Sequence, residues 1–164
     1  MHIILIGMRA AGKTYFGKIF SKKFKLNLID TDELIQKNEK CSIQAMVEKH
    51  GWPYFREKEY ETIQNLSAYQ PSIVATGAGL PVAEKNQKIL KNYGKVIWIK
   101  TPPQVMIDYL KKTTTDHRPS LTGKSIVDEF LEVYDKRKII YQKLADFVFD
   151  TSKNIENQID LIKP

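Results

Sequence analysis

The chain has 164 residues, 42% of them hydrophobic, and a formal net charge of +7. That is one domain's worth of sequence with enough apolar residues for a core. The single cysteine, Cys41, excludes an intramolecular disulfide and a cysteine zinc site. No apolar run approaches the length of a membrane span and no secretory leader precedes the first strand, so a soluble cytoplasmic protein is expected. The basic balance suits anionic ligands. Its lysines are scattered, with no dense basic helix or aromatic RNA-binding pattern, so neither nucleic acid nor membrane is expected as a partner, and a monomer is expected.

His2 to Ile6 is almost wholly aliphatic and reads as a strand buried on both faces of a parallel sheet. Gly7-Met8-Arg9-Ala10-Ala11-Gly12-Lys13-Thr14 follows and matches G-x-x-x-x-G-K-[ST] without a gap. An amphipathic helix is expected over Tyr15 to Phe24, which completes the strand, glycine loop and helix of a phosphate-binding loop. Gly7 lets the chain leave the strand, and Gly12 lets backbone approach a phosphate. The N–H groups of Met8, Arg9, Ala10, Ala11, Gly12, Lys13 and Thr14 can then point at anionic oxygens. Lys13 is placed for the β- and γ-phosphates of ATP, and the Thr14 hydroxyl for Mg²⁺.

Lys25 to Asp30 predicts a second strand running into Asp30-Thr31-Asp32. Two carboxylates at the end of a parallel strand lie where open α/β sheets hold ligands. The competing reading is that Asp30 or Thr31 caps a helix beginning near Glu33. Ser42 to His50 predicts a short helix broken by Gly51-Trp52-Pro53. A longer helix over Tyr54 to Tyr69 opens on Phe55-Arg56 and carries Glu59. Ser72 to Thr76 is a β-branched strand that ends in Gly77-Ala78-Gly79, a turn where backbone can approach a ligand.

Val82 to Asn92 predicts a helix and Lys95 to Lys100 a fourth strand. Thr101 is expected as the N-cap and Pro102 as the first residue of a helix reaching about Lys112. Residues 113–124 are polar, hold Arg118 near their middle and have the length of a mobile lid. Ser125 with Asp128 resembles a capping box for a helix ending at Leu144. Ala145 to Asp150 is a fifth strand and Asn154 to Ile162 a closing helix. Alternating strands and helices predict a doubly wound parallel sheet.

Taken together, these stretches resemble the shikimate kinase family from end to end. The phosphate loop, Ile29-Asp30-Thr31-Asp32, Ser42-Ile43, Gly51 with Phe55-Arg56 and Glu59, and Val74 to Gly79 follow its pattern. So do Arg118-Pro119-Ser120-Leu121 and Arg137 with Tyr141, Ala145 and Asp146. The resemblance implies a single domain over 1–164 with a three-layer α/β/α P-loop kinase fold. Its five-stranded parallel sheet would have the order 2-3-1-4-5, with a helical substrate-binding segment at about 31–62 and a lid at about 113–124. It implies ATP- and Mg²⁺-dependent phosphorylation of the shikimate 3-hydroxyl. Asp32 would hold the ring hydroxyls and take the proton of the attacking one. Arg56 and Arg137 would clamp the carboxylate, and Gly77, Ala78 and Gly79 would line the substrate. Lys13 and Arg118 would neutralise the transferring phosphoryl group, Lys111 would join the nucleotide contacts, and Asp30 would assist Mg²⁺ beside Thr14.

The chain departs from the family's usual pattern at three places. Ala78 stands where a third glycine is usual, and its methyl either points away or trims the pocket. Trp52 stands where a glutamate usually follows Gly51, which leaves Glu59 to orient the arginines. Ser120 replaces a leucine in the expected lid. The alternatives are a kinase for another small metabolite, such as gluconate or a nucleoside, and a non-catalytic nucleotide-binding module. Arg56, Arg137 and the placement of Asp30-Thr31-Asp32 favour shikimate over another metabolite, and a nucleotide switch would be expected to carry effector-sensing segments that the sequence does not display.

Overall fold

The computed structural model describes residues 1–113 and 125–162. Strand β1 (His2–Ile6) is buried along its whole length, as its aliphatic run requires. It pairs in parallel with β3 (Ser72–Ala75) on one side and β4 (Gly94–Lys100) on the other. Strands β2 (Asn27–Asp30) and β5 (Phe147–Asp150) form the edges of a five-stranded sheet ordered β2-β3-β1-β4-β5. Because every pairing is parallel, the strands discharge their C-terminal ends on one side, where Asp30 lies in register with Ala75 and Ala75 with Leu5. That rim is where a doubly wound sheet binds ligands.

Helix α1 (Lys13–Phe24) begins two residues earlier than expected and ends at Lys25, which takes a left-handed conformation, so β2 starts only at Asn27. Phe16 and Phe20 of α1 pack on Phe149 of β5 with ring centroids 5.0 and 5.3 Å apart. Helix α2 (Thr31–Glu39) starts directly off β2. After the 3₁₀ turn Leu80–Val82 come α4 (Glu84–Tyr93) and then, past β4, α5 (Pro103–Lys112). Thr101 is not the N-cap of α5; Pro102 occupies that position and Pro103 opens the helix. The Thr101 hydroxyl is buried and donates instead to the Ala11 carbonyl at 2.9 Å, tying β4 to the phosphate loop. Helix α6 (Ile126–Leu144) is capped by Ser125, whose hydroxyl accepts from the Asp128 N–H, and α7 (Ile155–Leu161) by Asn154.

The two helices expected across residues 42–69 lie on either side of Gly51 within α3 (Ile43–Gln64), and the second tightens into a 3₁₀ turn, Asn65–Ala68. The break at Gly51 survives as a kink with φ 80° and ψ 167°. Around it, Ile35, Ile43, Met46, Val47 and Phe55 form a second small core, with Trp52 and Tyr54 packed on its edge. This core fixes the start of the second half of α3, which carries Arg56 and Glu59, relative to α2. Among the described residues no helix is long and apolar enough to cross a membrane.

The space around Gly51 would admit a methyl group, since a Cβ there meets only Pro53 Cδ at 3.5 Å. Its φ and ψ, however, belong to a region that only glycine adopts without strain. Gly51→Ala is therefore expected to destabilise the protein by about 1–3 kcal/mol. Urea unfolding should show a lower midpoint with an unchanged m-value; a midpoint equal to wild type would contradict this account of the kink.

Candidate active site

The phosphate loop turns on Gly7 (φ 148°), Ala10 (φ 61°) and Gly12 (φ 87°). A Cβ on Gly7 would lie 2.7 Å from the Ile99 carbonyl oxygen, so the close passage of β1 past β4 requires glycine there. No side chain caps the N-terminus of α1, so its first-turn N–H groups remain to face the loop. Lys13 reaches back over the loop and donates to the carbonyls of Gly7 at 3.0 Å and Met8 at 2.8 Å.

The Thr14 hydroxyl donates to Asp30 Oδ2 at 2.7 Å, while Asp30 Oδ1 accepts from the Asp32 and Glu33 N–H groups. Asp30 thus caps α2 with one oxygen and meets Thr14 with the other. The capping and metal-shell readings of Asp30 are compatible. A hydroxyl and a carboxylate held together at the phosphate loop are hard oxygen donors of the kind Mg²⁺ takes. Gly12, Lys13, Thr14, Asp30, Asp32 and Tyr109 line one cavity at this rim. Tyr109, which no sequence motif marks, stands in that lining. Lys111 is exposed on the last turn of α5 and is not among the cavity's lining residues.

A second cavity lies beside the first, and Ala78 lines both. Its other walls include Met8, Arg9, Trp52, Arg56, Glu59 and Arg137. Arg9 belongs to the phosphate loop by its backbone, yet its guanidinium lies 3.7 Å from Glu129 of α6 and faces this second cavity. Sequence reading had no means of telling which way that side chain turns. Arg56 Nη1 donates to Glu59 Oε2 at 2.5 Å, one turn on along α3.

The turn after β3 explains its glycines. A Cβ on Gly77 would lie 2.6 Å from Asp32 Oδ1 and 2.7 Å from Glu59 Oε1; one on Gly79 would lie 2.6 Å from Arg56 Cζ. These are the positions where glycine is retained, and the alanine falls between them. The Gly77 N–H donates to the buried Thr31 hydroxyl at 3.0 Å, and the Tyr141 hydroxyl of α6 donates to the Ala78 carbonyl at 2.7 Å. The turn is therefore pinned from α2 and from α6. Burial raises the Tyr141 hydroxyl to about 12.

Burial pushes the Glu59 carboxyl up to about 7, against the pull of Arg56 and with a further push from Asp32. Burial also lowers Arg137, and the Arg56 guanidinium beside it adds to that. Arg56 and Arg137 thus meet at one wall where positive charge is poorly hydrated, the setting in which a ligand anion is most strongly attracted. Arg118 and residues 114–124 of the lid expected over 113–124 lie outside the described residues; Thr113, the first residue of that lid, is the C-cap of α5.

The family model for shikimate kinase matches residues 9–162. Shikimate kinase 2 of Serratia proteamaculans is 36% identical over 162 residues, covering 98% of this chain and 92% of the relative. Shikimate kinase of Clostridium botulinum is 40% identical over 152 residues, covering 92% of this chain and 88% of the relative. Among solved structures, shikimate kinase from Acinetobacter baumannii in complex with shikimate superposes with a TM-score of 0.85 at 26% identity, covering 98% of this chain and 87% of that one.

The buried carboxyl of Glu59 has a consequence for stability. Its folded value is about 7 and its ordinary value 4.5, so from about pH 4.5 to 7 the folded protein holds more protons than the unfolded chain. Stability contributed by this group must then fall as pH rises through that window and level off above it. Urea unfolding at pH 5 and pH 7.5 should show wild type losing about 1–3 kcal/mol relative to Glu59→Gln over that interval. Parallel profiles would contradict the raised value.

Proposed function

The chain belongs to the shikimate kinase family, and on that footing we propose that it transfers the γ-phosphoryl group of ATP to the 3-hydroxyl of shikimate, giving shikimate 3-phosphate and ADP. The observation that carries this reading is the junction of the two cavities. Asp32 lines the phosphate-loop cavity, and its carboxylate shares the face of Gly77 with Glu59, the ion-pair partner of Arg56. An acceptor held by its carboxylate at Arg56 and Arg137 would present its hydroxyls toward Asp32 and the phosphate loop.

In this mechanism the acceptor hydroxyl oxygen bonds to the γ-phosphorus as the bond to the β-phosphate oxygen breaks and ADP leaves. Asp32 orients the hydroxyl and receives its proton. A loose phosphoryl-transfer transition state needs in-line positioning and positive charge, which Lys13 and the N–H groups of the loop supply. Arg118, within the lid proposed for 113–124, adds charge when the acceptor is enclosed, and Lys111 adds a nucleotide contact. Mg²⁺, held by Thr14 with Asp30 beside it, would neutralise charge on the nucleotide phosphates. The acceptor-binding segment is 31–62 within a single domain. The same reading makes the protein a cytoplasmic monomer that handles no nucleic acid. Many of its surface lysines are paired with carboxylates, as Lys23 with Asp160 and Lys136 with Glu132, which suits a solvated surface better than a nucleic-acid footprint.

A coupled ADP-release assay tests the reading. Shikimate should be turned over with a kcat/KM at least tenfold above that of its methyl ester, because a charge-assisted hydrogen bond contributes about 1.5–3 kcal/mol. Arg56→Lys should raise the acceptor KM by about tenfold or more with ATP affinity nearly unchanged, since lysine cannot make the bidentate contact. Equal efficiency for acid and ester would move the reading to a kinase for neutral polyols.

A further inference from the structure

We propose that Trp52 is a positioning residue for the carboxylate clamp: its ring is the platform that holds the Arg56 guanidinium while leaving that group's in-plane donors to the acceptor. The inference rests on the proposed acceptor site and assigns a role within it that the chain's departure from the usual glutamate opens. Arg56 Cζ lies 5.0 Å from the centroid of the Trp52 ring and 5.4 Å from that of Phe55. The two rings meet edge to face at 5.9 Å, with 69° between their planes. Glu59 takes one in-plane donor, Nη1, and Gly79 leaves the guanidinium room, since a Cβ there would lie 2.6 Å from the guanidinium carbon. Side chains and backbone thus grip the group without consuming its remaining N–H edge.

The chemistry of the two candidate grips differs. A carboxylate at position 52 would compete for the in-plane N–H donors and add negative charge beside a site meant for an anion. An aromatic ring attracts the guanidinium through its face, so it restrains the group and neutralises nothing. The fold holds the ring in place by two devices: Trp52 packs on the small core that contains Phe55 and Met46, and it directly follows the Gly51 kink. Trp52 itself lines the acceptor cavity.

The test measures acceptor and nucleotide kinetics of Trp52→Leu, Trp52→Met and Trp52→Phe, with shikimate and its methyl ester as alternative acceptors. Loss of the ring should raise the KM for shikimate about five- to tenfold, within the range of a partly desolvated cation–π contact. The kcat and the KM for ATP should stay within about twofold, and Trp52→Phe should restore most of the loss. Because the ester engages the clamp less strongly, its kcat/KM should fall less than that of shikimate in each variant. An unchanged shikimate KM in Trp52→Leu or Trp52→Met would overturn the inference. So would equal losses on acid and ester, which would mark Trp52 as merely structural. If Trp52→Leu does not fold, the methionine variant, closer in volume, carries the same comparison. Wild-type protein that fails to turn over shikimate at all would instead overturn the proposed function.

Discussion

The site depends on one close approach. The carboxylates of Asp32 and Glu59 and the guanidinium of Arg56 all press on the turn from Gly77 to Gly79, and they can do so because two of its Cα atoms carry no side chain. Asp32 comes from α2, Arg56 and Glu59 from α3, and the turn itself from the end of β3. Tyr141 holds the turn's middle carbonyl from α6, and Thr31 holds its first N–H from α2. Three helices therefore meet at a single short segment. A methyl group at either flanking position would have to displace a charged side chain that already has fixed partners.

This crowding sets the electrostatics. Glu59 is wholly buried, and desolvation outweighs the attraction of Arg56 enough to bring it to about 7. Arg137, half-buried beside Arg56, is lowered for the same reason. A cluster of poorly hydrated, imperfectly neutralised charges costs stability when nothing binds and favours an anion that completes it. The second cavity presents Arg9, Arg56 and Arg137 against Glu59 and Glu129, an excess of positive charge suited to a monocarboxylate. The neighbouring cavity at the phosphate loop gathers Lys13 and Thr14 for a polyphosphate. Ala78 belongs to both walls, so the two cavities adjoin.

Much of this was legible in the sequence because it rests on local rules. The aliphatic run of His2–Ile6 and the β-branched run of Ser72–Ala75 became core strands, and the sheet order followed the resemblance. The phosphate loop is defined by spacing alone. Features that depend on where a side chain turns were not legible. Thr101 looked like an N-cap, but its hydroxyl serves the phosphate loop, a partner ninety positions away. Arg9 belongs to the phosphate loop by its backbone, and the direction of its side chain, paired with Glu129 of α6 and lining the other cavity, was not legible. Trp52 read as a lost carboxylate, whereas the geometry gives it the face of Arg56. The break at Gly51 was legible, whereas the second small core that packs residues from both flanking helices was not.

The central claim is that the carboxylate-reading cavity and the phosphate loop are joined so that one particular hydroxyl receives the phosphoryl group. The most direct measurement is phosphorus and proton NMR of the product formed from shikimate and Mg·ATP. A phosphate ester confined to the 3-hydroxyl, formed in step with ADP, is the predicted result. Phosphate on another hydroxyl, or ATP consumed with shikimate left unmodified, would contradict the account.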